Sequence, residues 1–141
     1  MDLAARCDAI EECYEFMLAY AAQGVIDEAS SPASGQLRTF LQRAELALDG
    51  LAGSCRAAVD EGRLEPVERY VAFIDVLDRD ARSALAAVRL VLAQPSLGSQ
   101  LIDNLNASIH LRALLTDLFL IDEILKTRAQ TRGAGDPIHR T

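Results

Sequence analysis

A repeat of apolar residues at alternating spacings of three and four runs through residues 67–91, and it constrains the fold of this chain more than any other feature. An α-helix turns once every 3.6 residues, so this spacing places the repeated side chains on one face. The repeat consists of Val67, Tyr70, Ile74, Leu77, Ala81, Ala84, Val88 and Val91. We therefore predict a long amphipathic helix here, with its apolar face packed against other helices.

Two earlier segments show the same pattern. The first carries Leu3, Cys7, Ile10, Tyr14, Met17 and Ala21 on one face, and the second carries Leu37, Leu41, Ala44, Leu48, Leu51, Cys55 and Ala58. Composition agrees with helices, because 23 alanines and 21 leucines make up nearly a third of the 141 residues. No segment shows the alternation expected of a strand.

Glycine and proline residues divide the chain into four long segments. Gly24 and Gly62 are suited to helix ends, and Gln94-Pro95 ends the third segment. We predict helices over about 3–23, 35–61, 66–94 and 99–131, followed by a flexible tail over 132–141. Helices of this length joined by short links predict a single all-α domain, an up-and-down four-helix bundle over 1–131.

Two local features carry predictions of their own. Gly50 and Gly53 lie inside the predicted second helix, where glycine lowers helix stability relative to alanine. We expect either a bend or the close approach of a neighbouring helix, and we favour the close approach. Ser96 or Ser99 is expected to cap the fourth helix.

The predicted fourth helix differs from the others because its second half is apolar nearly all round. A single bundle covers one side of a helix, so we infer a second contact surface, most simply a two-fold homodimer. The residues expected at this interface are Leu114, Leu118, Leu120, Ile121, Ile124 and Leu125.

Charge and terminal sequence exclude several classes of function. A net charge of −7 argues against nucleic-acid binding, which needs a basic surface to neutralise phosphates. The N-terminus does not resemble a secretory signal, and no apolar run is long enough for a membrane span, so we expect a cytoplasmic protein. Cys7, Cys13 and Cys55 have no metal-binding spacing and are expected to be reduced and buried.

The acidic run Glu11-Glu12-Cys13-Tyr14-Glu15 has the spacing EExxE. It resembles one half of the magnesium site of the all-α nucleotide pyrophosphatases, which implies a metal-dependent nucleotide hydrolase. The second half of that site is an ExxD motif, and the nearest candidate, Glu45 to Asp49, is one residue too long. The site would lack two ligands, so a solvated acidic face is the favoured interpretation and no bound metal or cofactor is predicted. Glu11, Glu12 and Glu15 remain the candidate ligands.

His110 lies in the middle of the predicted fourth helix. Asp103, Asn106 and Asp117 share its helical spacing, which predicts a polar line with an accessible histidine. An exposed histidine on a helical bundle resembles the phosphoacceptor of histidine phosphotransfer domains, although Ala113 and Leu114 stand where those families carry further signals. The interpretation we favour is an ordinary surface histidine that is hydrogen-bonded to Asn106 or Asp103.

These observations favour a small protein that acts by binding another protein, as an adaptor, assembly factor or regulatory subunit. No convergent catalytic set is visible, so an enzyme is the less favoured interpretation. The alternatives are a metal-dependent nucleotide hydrolase, a histidine phosphotransfer component, and a small-ligand binder. Asn104, Ser108 and Asp122 would line the pocket of such a binder.

Overall fold

The chain forms an all-α structure, as predicted. The computed structural model describes residues 1–139, with side chains described for residues 1–131. This part of the chain contains six α-helices, one short 3₁₀ turn and no strand. The helices are α1 Leu3–Ala22, α2 Ser34–Leu48, α3 Leu51–Gly62, α4 Val67–Leu92, α5 Ser99–Ala107 and α6 Ile109–His139, and the 3₁₀ turn is Glu28–Ser30. The tail predicted over 132–141 falls on residues whose side chains, and for 140 and 141 also the backbone, lie outside this description.

Helices α1 and α2 are antiparallel, and polar contacts fix both ends of the pair. Arg6, in the first turn of α1, donates to the carbonyl oxygens of Ala47 at 2.9 Å and Asp49 at 2.6 Å. The last carbonyls of a helix have no partner within the helix, so this guanidinium completes the end of α2. At the opposite end, Tyr20 of α1 contacts Ser34, the first residue of α2, through their hydroxyl groups.

Two helices stand where the sequence predicted one helix over 35–61. The chain turns at Gly50, whose φ of +85° lies in the left-handed region that glycine adopts without steric cost. The close approach expected at these glycines is absent at Gly53, where a Cβ atom would meet nothing within 4 Å. At Gly50 the three nearest atoms would all belong to the Arg6 guanidinium of α1, the first at 3.5 Å, which is an ordinary contact. The other expectation, a bend, is confirmed, because the chain turns at Gly50 between α2 and α3.

The predicted fourth helix is also interrupted, at Ser108. This residue has extended backbone angles, and its hydroxyl accepts a hydrogen bond from the Leu111 N–H in the first turn of α6. Serine and asparagine compete with helical hydrogen bonding and favour helix ends, and Asn104, Asn106 and Ser108 cluster at this point. The cap expected from Ser96 or Ser99 is wrong, since Gly98 precedes α5 and no side chain caps it.

Helix α4 runs antiparallel to both α2 and α6. Arg38, near the start of α2, donates to the Leu92 carbonyl at the end of α4, and Arg128, late in α6, donates to the Glu65 carbonyl just before the start of α4. The core between the helices buries the predicted apolar faces, and its largest fully buried side chains include Met17, Tyr20, Leu37, Leu41, Leu51, Leu77, Leu97, Ile102, Leu114, Leu118 and Ile121. Among the described residues, none of the helices combines the length and apolar character needed to cross a membrane.

Candidate functional site

The predicted interface residues on α6 have two different environments. Leu114, Leu118 and Ile121 are buried in the chain's own core, so they offer no surface to a second subunit. With Leu111 and Leu115 they occupy an arc of about 120°, the normal width of a buried helical face. Outside this arc Leu120 is 51% exposed and Ile124 is half-buried. Leu125 lies within the arc and is half-buried against the core. The excess apolar surface is therefore smaller than the sequence suggested.

The exposed side of Leu120 faces a groove between α4 and α6, which we call the α4–α6 groove. It has a volume of about 340 Å³ and is lined by Pro66, Arg69, Tyr70, Phe73, Leu120, Ile121 and Ile124. Apart from the Arg69 side chain, these residues present aromatic and aliphatic surface. Val76 extends it along α4, because it lies three residues after Phe73 on the same helical face and is exposed. The groove is an apolar surface contributed by two antiparallel helices.

A pair of carboxyl groups lies between α4 and α6 beyond one end of this groove. Asp117 precedes Leu120 by three residues, a distance of about one helical turn, and Asp80 of α4 lies against it. Asp117 is only 9% exposed, and its Oδ2 atom has no hydrogen-bond partner. Burial, together with the hydrogen bond and negative charge of Asp80, raises the pKa of Asp117 to about 7.

Asp117 was a predicted site residue, and Asp80 was not. Asp80 follows Val76 by four residues and Phe73 by seven, so its helical spacing places it on the groove side of α4. The sequence does not show which residue of another helix faces that side.

The structure separates the predicted polar line around His110. Because the chain breaks at Ser108, Asp103 and Asn106 belong to α5, whereas His110 and Asp117 belong to α6. The four residues therefore no longer share one face, and only His110 and Asp117, seven residues apart on α6, still do. His110 is exposed, Asp103 lines a separate groove with Leu18 and Ile26, and Asn106 is buried with an unpartnered Oδ1 atom. The line of polar side chains expected around the histidine does not form.

The acidic residues of α1 are not arranged around a common point. Glu12 forms an ion pair with Arg43 of α2 at 3.2 Å. Glu11 is half-buried, and its pKa is raised by burial and by the negative charge of Asp122. No group of three His, Cys, Asp or Glu side chains able to hold a metal occurs in the part of the chain described, so Glu11, Glu12 and Glu15 do not form a metal site there.

The residues suggested for a small-ligand pocket have polar contacts of their own. The Asn104 Oδ1 atom accepts a hydrogen bond from Gln100, Ser108 caps α6, and Asp122 forms an ion pair with Lys126 at 2.9 Å. Asn104 is also exposed. None of the three lines the α4–α6 groove.

The three cysteines are free and buried, as predicted. Burial raises the pKa of Cys7 and Cys13 to about 12 and that of Cys55 to about 11. The thiolate is the reactive form of cysteine, so these groups are poor nucleophiles at neutral pH.

No protein-family profile, curated protein sequence or solved structure matches this chain. The α4–α6 groove and the carboxyl pair beyond its end are therefore the features of the molecule that bear on its function.

Proposed function

We propose that this protein acts by protein–protein interaction, and that the α4–α6 groove receives one amphipathic helix of a partner protein. The observation that carries the proposal is the set of partly exposed aromatic and aliphatic side chains along the groove, represented by Tyr70, Phe73, Leu120 and Ile124. Grooves between two helices bind a third helix through apolar anchors spaced by three and four residues. An adaptor or regulatory subunit would use such a surface.

The dimensions of the groove suit one helix. The groove together with the carboxyl pair beyond its end spans a separation of fourteen residues, from Pro66 to Asp80, which corresponds to about 21 Å along α4. A helix of about four turns would cover this length. A stable dimer interface of ordinary size buries about 800 Å² on each partner, more than the few half-exposed side chains of this groove provide by themselves.

A second copy of the chain is the other candidate occupant. Phe119 is 52% exposed and lies about 100° around α6 from Leu120, so apolar surface is present on two sides of this helix. Charge disfavours self-association through the groove, because each copy carries −7 and would bring its own Asp80 and Asp117 toward the interface. A partner of different charge is therefore the occupant we propose.

The same proposal treats the domain as an up-and-down four-helix bundle with two interrupted members. In this arrangement α2 with α3, and α5 with α6, each stand for one helix of the bundle. The antiparallel contacts of α1 with α2 and of α4 with α6 support it. The nucleotide-hydrolase and phosphotransfer alternatives have less support, because their candidate residues are not brought together.

Site-specific photo-crosslinking in cells tests the occupant of the groove. The crosslinking residue p-benzoylphenylalanine replaces Leu120 in one variant and Leu46 in a matched control. Leu46 is 66% exposed on α2 and does not line the groove. We expect Leu120 to crosslink to a helical segment of one partner, and a synthetic peptide of that segment to bind the purified protein but not its Leu120→Arg variant.

Two results would contradict this proposal. Crosslinking of the same proteins from both positions would show that Leu120 is merely exposed. Crosslinking from Leu120 to a second copy of this chain alone would assign the groove to a homodimer, which sedimentation at two protein concentrations would then register as a rise in mass.

A further inference from the structure

We infer that the Asp80–Asp117 pair is a recognition site for one lysine or arginine of the helix that occupies the α4–α6 groove. This inference rests on the function proposed above and adds the chemistry of the partner. In this interpretation the apolar side chains of the groove provide contact area for the partner helix. The acidic pair at its end favours a partner that carries a lysine or arginine there.

The first support is the unsatisfied state of Asp117. A buried carboxyl oxygen without a hydrogen-bond donor is costly, and most buried polar atoms in proteins have a partner. The Oδ2 atom of Asp117 has none among the described residues, although 91% of the residue's surface is covered. The described ion pairs of neighbouring acids, such as Asp78 with Arg82 and Asp122 with Lys126, do not extend to Asp117 or Asp80.

The second support is the opposition of two like groups. Asp80 and Asp117 come from different helices and lie within hydrogen-bonding range of each other. Two carboxylates at this separation repel each other, and either a proton or a cation relieves the repulsion. A guanidinium or ammonium group brought by a partner supplies that positive charge beside Asp80, which is half-buried, whereas the unpartnered Asp117 oxygen is closed to solvent.

The position of the pair supplies the third support, because it sets where the base must be. Asp117 lies one turn from Leu120, so a basic residue one turn beyond the last apolar anchor of a docked helix would lie beside the pair, within reach of the half-buried Asp80. Arg69 lines the opposite end of the groove. A base docked at that end would meet a like charge, so the two ends of the groove distinguish the two ends of the partner helix.

Two synthetic peptides test this inference on the intact protein. Each is a blocked 18-residue helix of alanine and glutamine with leucines at positions 4, 8 and 11. One carries lysine at position 15 as its sole charge, and the other carries norleucine, which has the same chain without the amine. Fluorescence anisotropy measures the affinity of each peptide for the wild type and for four variants.

We expect the wild type to bind the lysine peptide about tenfold more tightly than the norleucine peptide, the value of one charged hydrogen bond. Asp117→Asn and Asp80→Asn should each abolish this preference while keeping the norleucine affinity. Asp75→Asn removes an exposed acid of the same helix and should preserve the preference, which controls for net charge. Leu120→Arg should weaken the binding of both peptides.

Equal affinity of the wild type for the two peptides would overturn the recognition site and leave the groove proposal standing. Failure of both peptides to bind would overturn the groove proposal, and with it this inference. An equal loss of lysine preference in Asp75→Asn would attribute the effect to net charge and also overturn it. Circular dichroism establishes that each variant is folded, and Asp80→Asn provides an independent reading if Asp117→Asn is not.

Discussion

The Tyr20 hydroxyl donates a hydrogen bond to the Leu97 carbonyl oxygen at 2.5 Å and thereby joins the end of α1 to the segment before α5, 77 residues away. Both residues are fully buried. The same hydroxyl contacts Ser34, and the neighbouring Tyr20 carbonyl accepts from Ser99. Tyr20 is thus the point at which α1, α2 and α5 are held together.

Replacing Tyr20 by phenylalanine should lower the free energy of unfolding by about 1–3 kcal/mol. The ring would still pack, but the buried Leu97 carbonyl would lose its donor, and an unsatisfied buried group costs about this much. Urea denaturation followed by circular dichroism measures the change. Tyr14→Phe, at a half-buried tyrosine on the same helix, is the control, and an equal loss in both variants would contradict the role given to the Tyr20 hydroxyl.

Replacing Glu28 by glutamine should also destabilise the fold, by about 1–3 kcal/mol at neutral pH. Glu28 receives two hydrogen bonds from Arg38, at 2.5 and 2.8 Å, and a third from the Leu97 N–H. The Arg38 hydrogen bond is the main reason that the pKa of Glu28 is lowered. Glu45→Gln, which breaks the more exposed pair with Arg89, should cost less than about 1 kcal/mol.

The effect of Glu28→Gln should depend on pH. Because the folded-state pKa is lowered, the stabilisation from this carboxylate is present above the ordinary value of 4.5 and is lost as pH falls through the folded-state pKa. Urea denaturation at pH 7 and pH 3 should therefore show a smaller difference between wild type and variant at the lower pH. A constant difference would contradict the charge-based explanation.

Asp117 should have the opposite effect from Glu28 on how the free energy of unfolding changes with pH. Its pKa is about 7 in the folded protein against 3.8 without the fold, so between these values the unfolded chain releases a proton that the folded protein keeps. The contribution of this group therefore makes the fold less stable as pH rises from about 4 to about 7, after which it is constant. Asp117→Asn removes this contribution and should gain in stability relative to wild type over the same range, as urea denaturation at pH 4.5, 6 and 8 would measure.

The exposed Asp75 provides the control for that experiment, since Asp75→Asn makes the same change of charge on the surface of α4. Its stability should follow the wild type at each pH. If the stability of Asp117→Asn also follows the wild type at each pH, the pKa of Asp117 is not raised in the folded protein, and this would contradict the effect assigned to its burial beside Asp80.

Alanine substitutions at Gly50 and Gly53 should have opposite signs. Gly50 has a φ of +85°, where an alanine is strained, so Gly50→Ala should destabilise the protein by about 1 kcal/mol. Gly53 lies inside α3 with open space beside it, so Gly53→Ala should stabilise by up to about 1 kcal/mol. Thermal unfolding of the two variants compares them directly, and a shift of both in the same direction would contradict this account.

Sequence spacing predicted the helical faces well because the side of a helix on which a residue lies depends only on its position along that helix. In α4, the repeat from Ile74 to Val91 is buried as expected, whereas Val67 at its start is exposed. The interruptions at Gly50 and Ser108 were harder to predict, since the apolar spacing continues through them. The first depends on the left-handed backbone of Gly50, and the second depends on the hydroxyl of Ser108, which caps α6. Neither feature changes the spacing of the apolar residues.

The α4–α6 groove could be predicted only in part. Leu120 and Ile124 were identified as surplus apolar surface, but Leu114, Leu118 and Ile121 were assigned to the same surface although they are core residues. The wheel of one helix does not show how wide an arc its neighbours cover. The Asp80–Asp117 pair joins residues 37 positions apart on two helices, and such a pairing requires the tertiary arrangement.

Because all three cysteines are free and buried, their reaction with alkylating reagents reports local and global unfolding of the domain. Alkylating reagents reach a thiol only after the surrounding helices separate. Cys7 on α1 lies near Cys55 on α3, whereas Cys13 lies six residues further along α1. Labelling rates at these positions, followed by mass spectrometry under native conditions, would show whether α1 detaches before the rest or whether the whole domain opens in a single cooperative event.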